Sequence, residues 1–339
     1  MKRREAESEY GREASAGGAD SGDVLHVGGK HVRVADDNGY LFPMLIMYPT
    51  STAATPISLG PFNLDMAANA PPRREAYPMV VISHGSGGTH LGYLELARRL
   101  VRACYVVLMP EHPGNSRSNN ELADSPLNLT IRPRHLTLAI NQILQDDLLG
   151  QTVEDDRVAV VGHSMGGCTA LAIAGGRPST NDGQSVTVVS DARVKALVLL
   201  APATPWFMKP GALAQVRVPI LMLTGEHDPH TPPFHAEVVK AGLPKETPID
   251  HRVVRHAGHF SFMSPFPEMM RRSDFLPSAR SPMGRSRPRI GTITTAPRPM
   301  RSSVSSAPSP LIPSSAFAAH GTGFSFMSTQ SRSAIRSVR

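Results

Sequence analysis

The sequence predicts an α/β protein with a mostly parallel central sheet, helices on both faces and only a short cap loop. Three observations predict this class. Apolar runs of strand length recur between segments of helical period. Several of those runs are continuously apolar, which suits strands covered on both faces. Strand-like and helix-like segments also take turns along the chain, the pattern of parallel crossover units.

In order, the chain opens with "VLHVGGKHVRV" at 24–34, read as an extra antiparallel strand, and "LFPMLIMYP" at 41–49, the first long apolar run. "MVVIS" (79–83) follows, then a helical pattern at 91–103 and "YVVLM" at 105–109. A second helical pattern covers 135–149. "RVAVVG" (157–162) then runs directly into a third helix at 164–175. "VKALVLLA" (194–201) and "VPILMLTG" (218–225) are further strands. A helix at 235–242 separates them from "HRVVR" at 251–255. The polar segment 175–191 sits where a lid could insert but is too short for a lid domain.

The domain reading is a disordered leader at 1–23, one α/β domain at 24–265 and an Arg/Ser/Pro-rich tail at 266–339. The leader has basic residues but no apolar core, so it does not read as a secretory signal. The tail shows no period and reads as disordered, or as an aberrant segment translated out of frame. The net charge of +7 is unevenly spread. The tail has eleven arginines, no lysine and two acids, a net +9, which leaves −2 on the first 265 residues. The basic balance therefore belongs to the tail, and no nucleic-acid partner is expected for the domain. No apolar run is long enough to span a membrane, and the expected location is the cytoplasm. The two cysteines, Cys104 and Cys168, read as reduced and buried.

One joint carries chemistry. Gly162-His163-Ser164-Met165-Gly166 stands between a strand and a helix and has the form G-x-S-x-G. Such a turn places its central residue at an unfavourable backbone angle and exposes a hydroxyl at a helix start. A plain helix-capping serine is the alternative reading of the pentapeptide. A serine nucleophile needs a base, and the base an orienting acid; where the serine sits on such a strand-to-helix turn, the chain order is Ser, acid, His. Asp228, in the turn after 218–225, and His259, in "RHAGHFSF", fit that order. Glu226 and then Asp250 compete for the acid, and His256 competes for the base. His227, His230, His235 and His251 read as surface or loop residues. Their spacing carries no metal signature, so neither metal nor cofactor is expected. The oxyanion of an acyl-transfer intermediate would take the backbone N–H of Met165. A second donor would come from "HGSGG" at 84–88, with Ser86 first and Gly85 and Gly87 as neighbours.

These residues resemble the α/β-hydrolase superfamily. More narrowly, they resemble its predicted dienelactone hydrolases similar to platelet-activating-factor acetylhydrolases. The stretches that carry the likeness are "YPMVVISHGSGG", "VVLMPEHPGNSRSN", "IRPRHLTLAINQIL", "VAVVGHSMGG", "LTGEHDPHTP" and "HAGHFSFM". The resemblance implies cofactor-free hydrolysis of a small-molecule ester by Ser164, Asp228 and His259. It also implies that residues 111–115 and Arg132 help shape the site, with His112 fixing the core or a loop. Two departures stand out. True dienelactone hydrolases use a cysteine nucleophile. The family also closes with a C-terminal helix after the histidine loop, and none is legible in the tail. The alternatives to an esterase are an acyltransferase or peptidase on the same fold, or a relative made defective by its C-terminus. The sequence does not decide oligomeric state.

Overall fold

The computed structural model describes residues 24–267 apart from Asp124. The expected leader, and all but the first two residues of the expected tail, lie outside the described residues.

Ten strands form one sheet. They are β1 (His26–Ala35), β2 (Leu41–Thr50), β3 (Thr55–Leu59), β4 (Phe62–Ala68), β5 (Tyr77–Ser83), β6 (Val106–Pro110), β7 (Val153–His163), β8 (Val194–Leu200), β9 (Ile220–Gly225) and β10 (Ile249–Val254). The spatial order is β10-β9-β8-β7-β5-β6-β2-β1-β4-β3. Strands β5 to β10 pair in parallel. β2 turns the sheet antiparallel at β6, and β1 pairs antiparallel with β2, as read from the sequence. The hairpin β3–β4 was not legible. Its residues are short, mixed and half exposed, and only the turn at Gly60 (φ +58°) marks it.

Four helices connect the strands: α1 (Leu94–Arg102), α2 (Leu127–Leu144), α3 (Met165–Ile173) and α4 (Phe234–Gly242). Helix α2 begins earlier than the pattern at 135–149 suggests and runs through Pro133. Proline interrupts the backbone ladder of a helix. Here Leu129, Arg132, Pro133 and Leu136 are all buried, so packing outweighs the local penalty. The helix ends at Leu144 because the Asp146 carboxylate accepts from the Leu148 and Leu149 amides and forms a turn.

The continuous apolar runs follow from a sheet with both faces covered. In β5, Met79 and Val81 face one core while Val80 and Ile82 face the other. β6 divides the same way, Val106 and Leu108 against Val107 and Met109. Helices α2, α3 and α4 cover the first face. Helix α1 covers the second, with Phe262, Met263 and Phe266 packed beside it. Each large apolar side chain buried in this way contributes about 1.5–3 kcal/mol.

Cys168 is buried as expected, but Cys104 is exposed, against expectation. It follows the end of α1 in a left-handed turn (φ +64°), which carries its side chain out of the core. The segment between α3 and β8 contains no helix or strand, only an isolated bridge between Ser179 and Ser185. No described helix is long and apolar enough to cross a membrane.

Candidate active site

Ser164 is the one residue between β7 and α3, with φ 55° and ψ −117°. A non-glycine residue held there costs about 1–3 kcal/mol, so its surroundings must impose the conformation. The Ser164 amide donates to the Leu200 carbonyl at 3.0 Å, and its carbonyl accepts from Gly167 and Ala203, each at 2.9 Å. The flanking glycines are steric necessities. A Cβ on Gly162 would sit 2.1 Å from the Gly166 carbonyl oxygen, and one on Gly166 would sit 2.0 Å from that of Ser83. Ser164 is partly exposed, and its hydroxyl makes no hydrogen bond among the described residues.

Asp228 lies three residues beyond the end of β9, and His259 lies five beyond the end of β10, so both leave the same end of the parallel strands as Ser164. The His259 Nδ1 donates to Asp228 Oδ2 at 2.8 Å, and both side chains are almost fully buried. Because a carboxylate can only accept, this bond leaves the His259 Nε2 unprotonated and able to take a proton. Asp228 is further held by the Thr231 hydroxyl at 2.6 Å and by the amides of His230 and Thr231 at 2.8 and 3.0 Å. Burial pushes its carboxyl upward, but the bonds from Thr231 and His259 prevail and hold it below the usual range. Burial also lowers His259, and Asp228 only partly offsets this, so the imidazole is neutral at neutral pH. The rings of His230 and Phe260 lie 4.9 and 5.2 Å from that of His259.

The competing acids and base stand elsewhere. The exposed Glu226 accepts from the His256 amide at 2.7 Å, and Asp250 pairs with Arg252 on the surface. His227 and His230 are exposed, and the half-buried His251 meets Thr224 Oγ1 at 2.9 Å. His235, expected at the surface or in a loop, is instead buried. The first turn of α4 directs it inward, where its Nδ1 accepts from the Thr204 amide at 3.0 Å.

The loop 84–88 abuts the serine, since a Cβ on Gly85 would lie 3.2 Å from that of Ser164. Its carbonyls are drawn inward. Gly85 accepts from the His84 Nδ1 at 2.7 Å and from the Gly88 amide at 3.1 Å, and His84 accepts from Arg132 Nη2. The Ser86 amide has no partner among the described residues. The amide of Met165, as the first residue of α3, has no carbonyl within its own helix to meet. Preorganised amides of this kind beside an attacking hydroxyl can hold an oxyanion.

Arg132 is fully buried, and no carboxylate is among its hydrogen-bond partners in the described residues. It donates to Thr169 Oγ1 at 3.1 Å and to Asn115 Oδ1 at 2.6 Å as well as to His84. Asn115 in turn donates to the Ser86 hydroxyl at 2.8 Å. His112 is buried too, and its amide donates to the His84 Nε2 at 3.1 Å, which fixes that ring. Glu111 accepts from His90 and from Ser116 and Ser118. Burial raises its carboxyl, and these bonds outweigh that and bring it to about 2.

Sequence reasoning passed over Thr231 and His163. The spacing Asp228-x-x-Thr231 is a turn signal that could have found the first. His163 sits inside the glycine motif, where attention goes to the serine.

A family model described as the alpha/beta hydrolase fold matches residues 78–218. The chain is similar to cutinase 2 of Thermobifida cellulosilytica, 27% identical over 194 residues, covering 56% of this chain and 63% of that one. It is similar to a bis(hydroxyethyl) terephthalate hydrolase of Streptomyces coelicolor, 29% identical over 131 residues, covering 38% and 36%. Each match thus spans less than two thirds of its relative. Among solved structures, a ferulic acid esterase of Streptomyces cinnamoneus aligns with a TM-score of 0.57 at 18% identity, covering 81% of this chain and 85% of that one.

Proposed function

We propose that this chain of the alpha/beta hydrolase fold is a serine carboxylic-ester hydrolase. The observation that carries the reading is the buried 2.8 Å His259–Asp228 bond on the same end of the sheet as the strained Ser164. The esterase names of its relatives support the substrate class.

In this reading the Ser164 Oγ attacks the ester carbonyl while the His259 Nε2 takes its proton. Asp228 keeps Nδ1 protonated and stabilises the imidazolium that forms. The amides of Met165 and Ser86 receive the negative oxygen. The imidazolium returns its proton to the leaving alcohol, and an acyl group remains on Ser164. Water, deprotonated by the same nitrogen, then releases the acid and restores the serine. Within the fold, the six stretches named above favour the dienelactone-hydrolase-like, acetylhydrolase-like branch. The serine nucleophile speaks for open esters over lactones.

A fluorophosphonate probe tests this directly. Folded wild-type protein should label and hydrolyse p-nitrophenyl esters, and Ser164→Ala and His259→Ala should do neither. A folded wild type that fails to label, or a Ser164→Ala variant that still labels, would overturn the reading.

A further inference from the structure

Beside the acid and base loops lies a second group of side chains that the mechanism does not use. Glu226, His227 and His256 are exposed, and each brings one donor atom within 4.8 Å of the other two. The Glu226 Oε2 is 3.8 Å from the His227 Nε2 and 3.7 Å from the His256 Nδ1. Ligand atoms on a tetrahedral zinc ion stand roughly 3.3–3.6 Å apart, given bonds of about 2.0–2.2 Å. The two Glu226 distances therefore need to close by only a few tenths of an ångström, and the two imidazoles, within 4.8 Å of each other, by about 1.5 Å at most.

We propose that Glu226, His227 and His256 form a surface site for a divalent transition-metal ion of the zinc class. Two imidazoles and one carboxylate favour such an ion over calcium or magnesium, which prefer all-oxygen ligands. The carboxylate is already tethered, since Glu226 accepts from the His256 amide at 2.7 Å. Arg255 stands near enough to act on the Glu226 carboxylate. Arg255 opposes the incoming charge and limits the affinity. The open face leaves the fourth position to water. Glu226 and His227 directly precede Asp228, and His256 stands three residues before His259. A bound ion would therefore clamp the two loops together. The sequence spacing hid this set because His256 lies 29 residues beyond His227 and meets it only when β9 and β10 lie side by side. The proposal does not depend on the hydrolase reading.

The test uses the full chain without an affinity tag, stripped with a chelator. Zinc is titrated in competition with a chromophoric chelator, and melting is followed with and without zinc. Expected are one saturable ion per chain, a rise in Tm with zinc, and Co2+ absorption bands typical of low coordination number. His227→Ala and His256→Ala should each weaken binding about tenfold or more and remove the Tm rise. His26→Ala, at the distant start of β1, should bind like wild type. These exposed substitutions should leave the metal-free melt intact, which separates lost binding from lost fold. No saturable uptake, or undiminished uptake by a folded His227→Ala/His256→Ala double variant, would overturn the site. Equal stabilisation by calcium would overturn its imidazole chemistry.

Discussion

The Nε2 of His163 lies 2.9 Å from the backbone carbonyl of His259. A carbonyl only accepts, so Nε2 bears the proton and Nδ1 is left to accept from the Tyr93 hydroxyl at 2.8 Å. Burial brings His163 down to about 3, so it stays neutral. The residue before the elbow serine thus holds the loop of the candidate base through a single neutral imidazole with a fixed tautomer.

Removing that ring takes a buried bond from each of two groups. His163→Ala removes one donor from the His259 carbonyl and the acceptor of the Tyr93 hydroxyl proton, at a cost of about 1–3 kcal/mol in all. We expect a lower Tm and a lower kcat with less change in KM, because the misplaced group is a base rather than a binding contact. His163→Gln can return an N–H to the carbonyl and should recover part of kcat. Ester kinetics on folded variants decide the point, and a kcat in His163→Ala equal to wild type would sink the argument.

Asp228→Asn keeps the shape of the turn but reverses the bond to His259, since an amide nitrogen can then donate to Nδ1. The ring is driven to the wrong tautomer, and turnover should fall by about 10⁴-fold. Asp250→Asn, in an exposed pair with Arg252, should leave turnover near wild type. Steady-state rates for both separate the buried acid from its competitor, and the reverse ranking would assign the role to Asp250.

Arg132 couples helix α2 to the loop that carries the Ser86 amide. Lysine keeps the charge but loses the planar fork, so it cannot reach Thr169, Asn115 and His84 together. Arg132→Lys should lower stability by at least about 2 kcal/mol, since bonds from a charged donor contribute about 1.5–3 kcal/mol each. With the loop loosened, kcat should fall about tenfold or more while KM moves little. Urea midpoints and a kcat/KM split check this. Unchanged kcat in a destabilised protein would reduce Arg132 to a purely structural part.

The sheet was legible because its signal is local. Each central strand reads as an unbroken apolar run, for the plain reason that alternate residues enter two different cores. Asp228 and His259 were legible as candidates because each stands just past a strand end. What the sequence concealed depends on contacts between distant segments. The helical pattern read at 135–149 starts only after Pro133, yet burial of the flanking residues carries α2 through it. His235 reads as a loop residue until Thr204, 31 positions away, supplies a buried partner. Asn115 and Arg132 are 17 positions apart, and the spacing gives no hint that their side chains meet at 2.6 Å. The hairpin β3–β4 escaped because half-exposed strands carry little hydrophobic pattern.

The buried histidines predict steep acid lability. Burial first, and then Arg132 beside His84 and His135 and the His259 ring beside His163, bring His84 and His163 down to about 3 and His135 to about 4. In the unfolded chain each returns to about 6.5. Between those values the unfolded state binds protons that the folded state refuses, so folding stability rises with pH across the window and falls on acidification. Each histidine contributes about 1.4 kcal/mol per pH unit there, and three together about 4. The urea midpoint should therefore be nearly flat above about pH 7.5 and fall steeply from about pH 6.5 toward 4. His84→Asn, which keeps a polar side chain that does not titrate, should flatten the slope by about one proton's share. A midpoint that holds constant from pH 8 to 5 would mean that these rings are open to water, contrary to their burial.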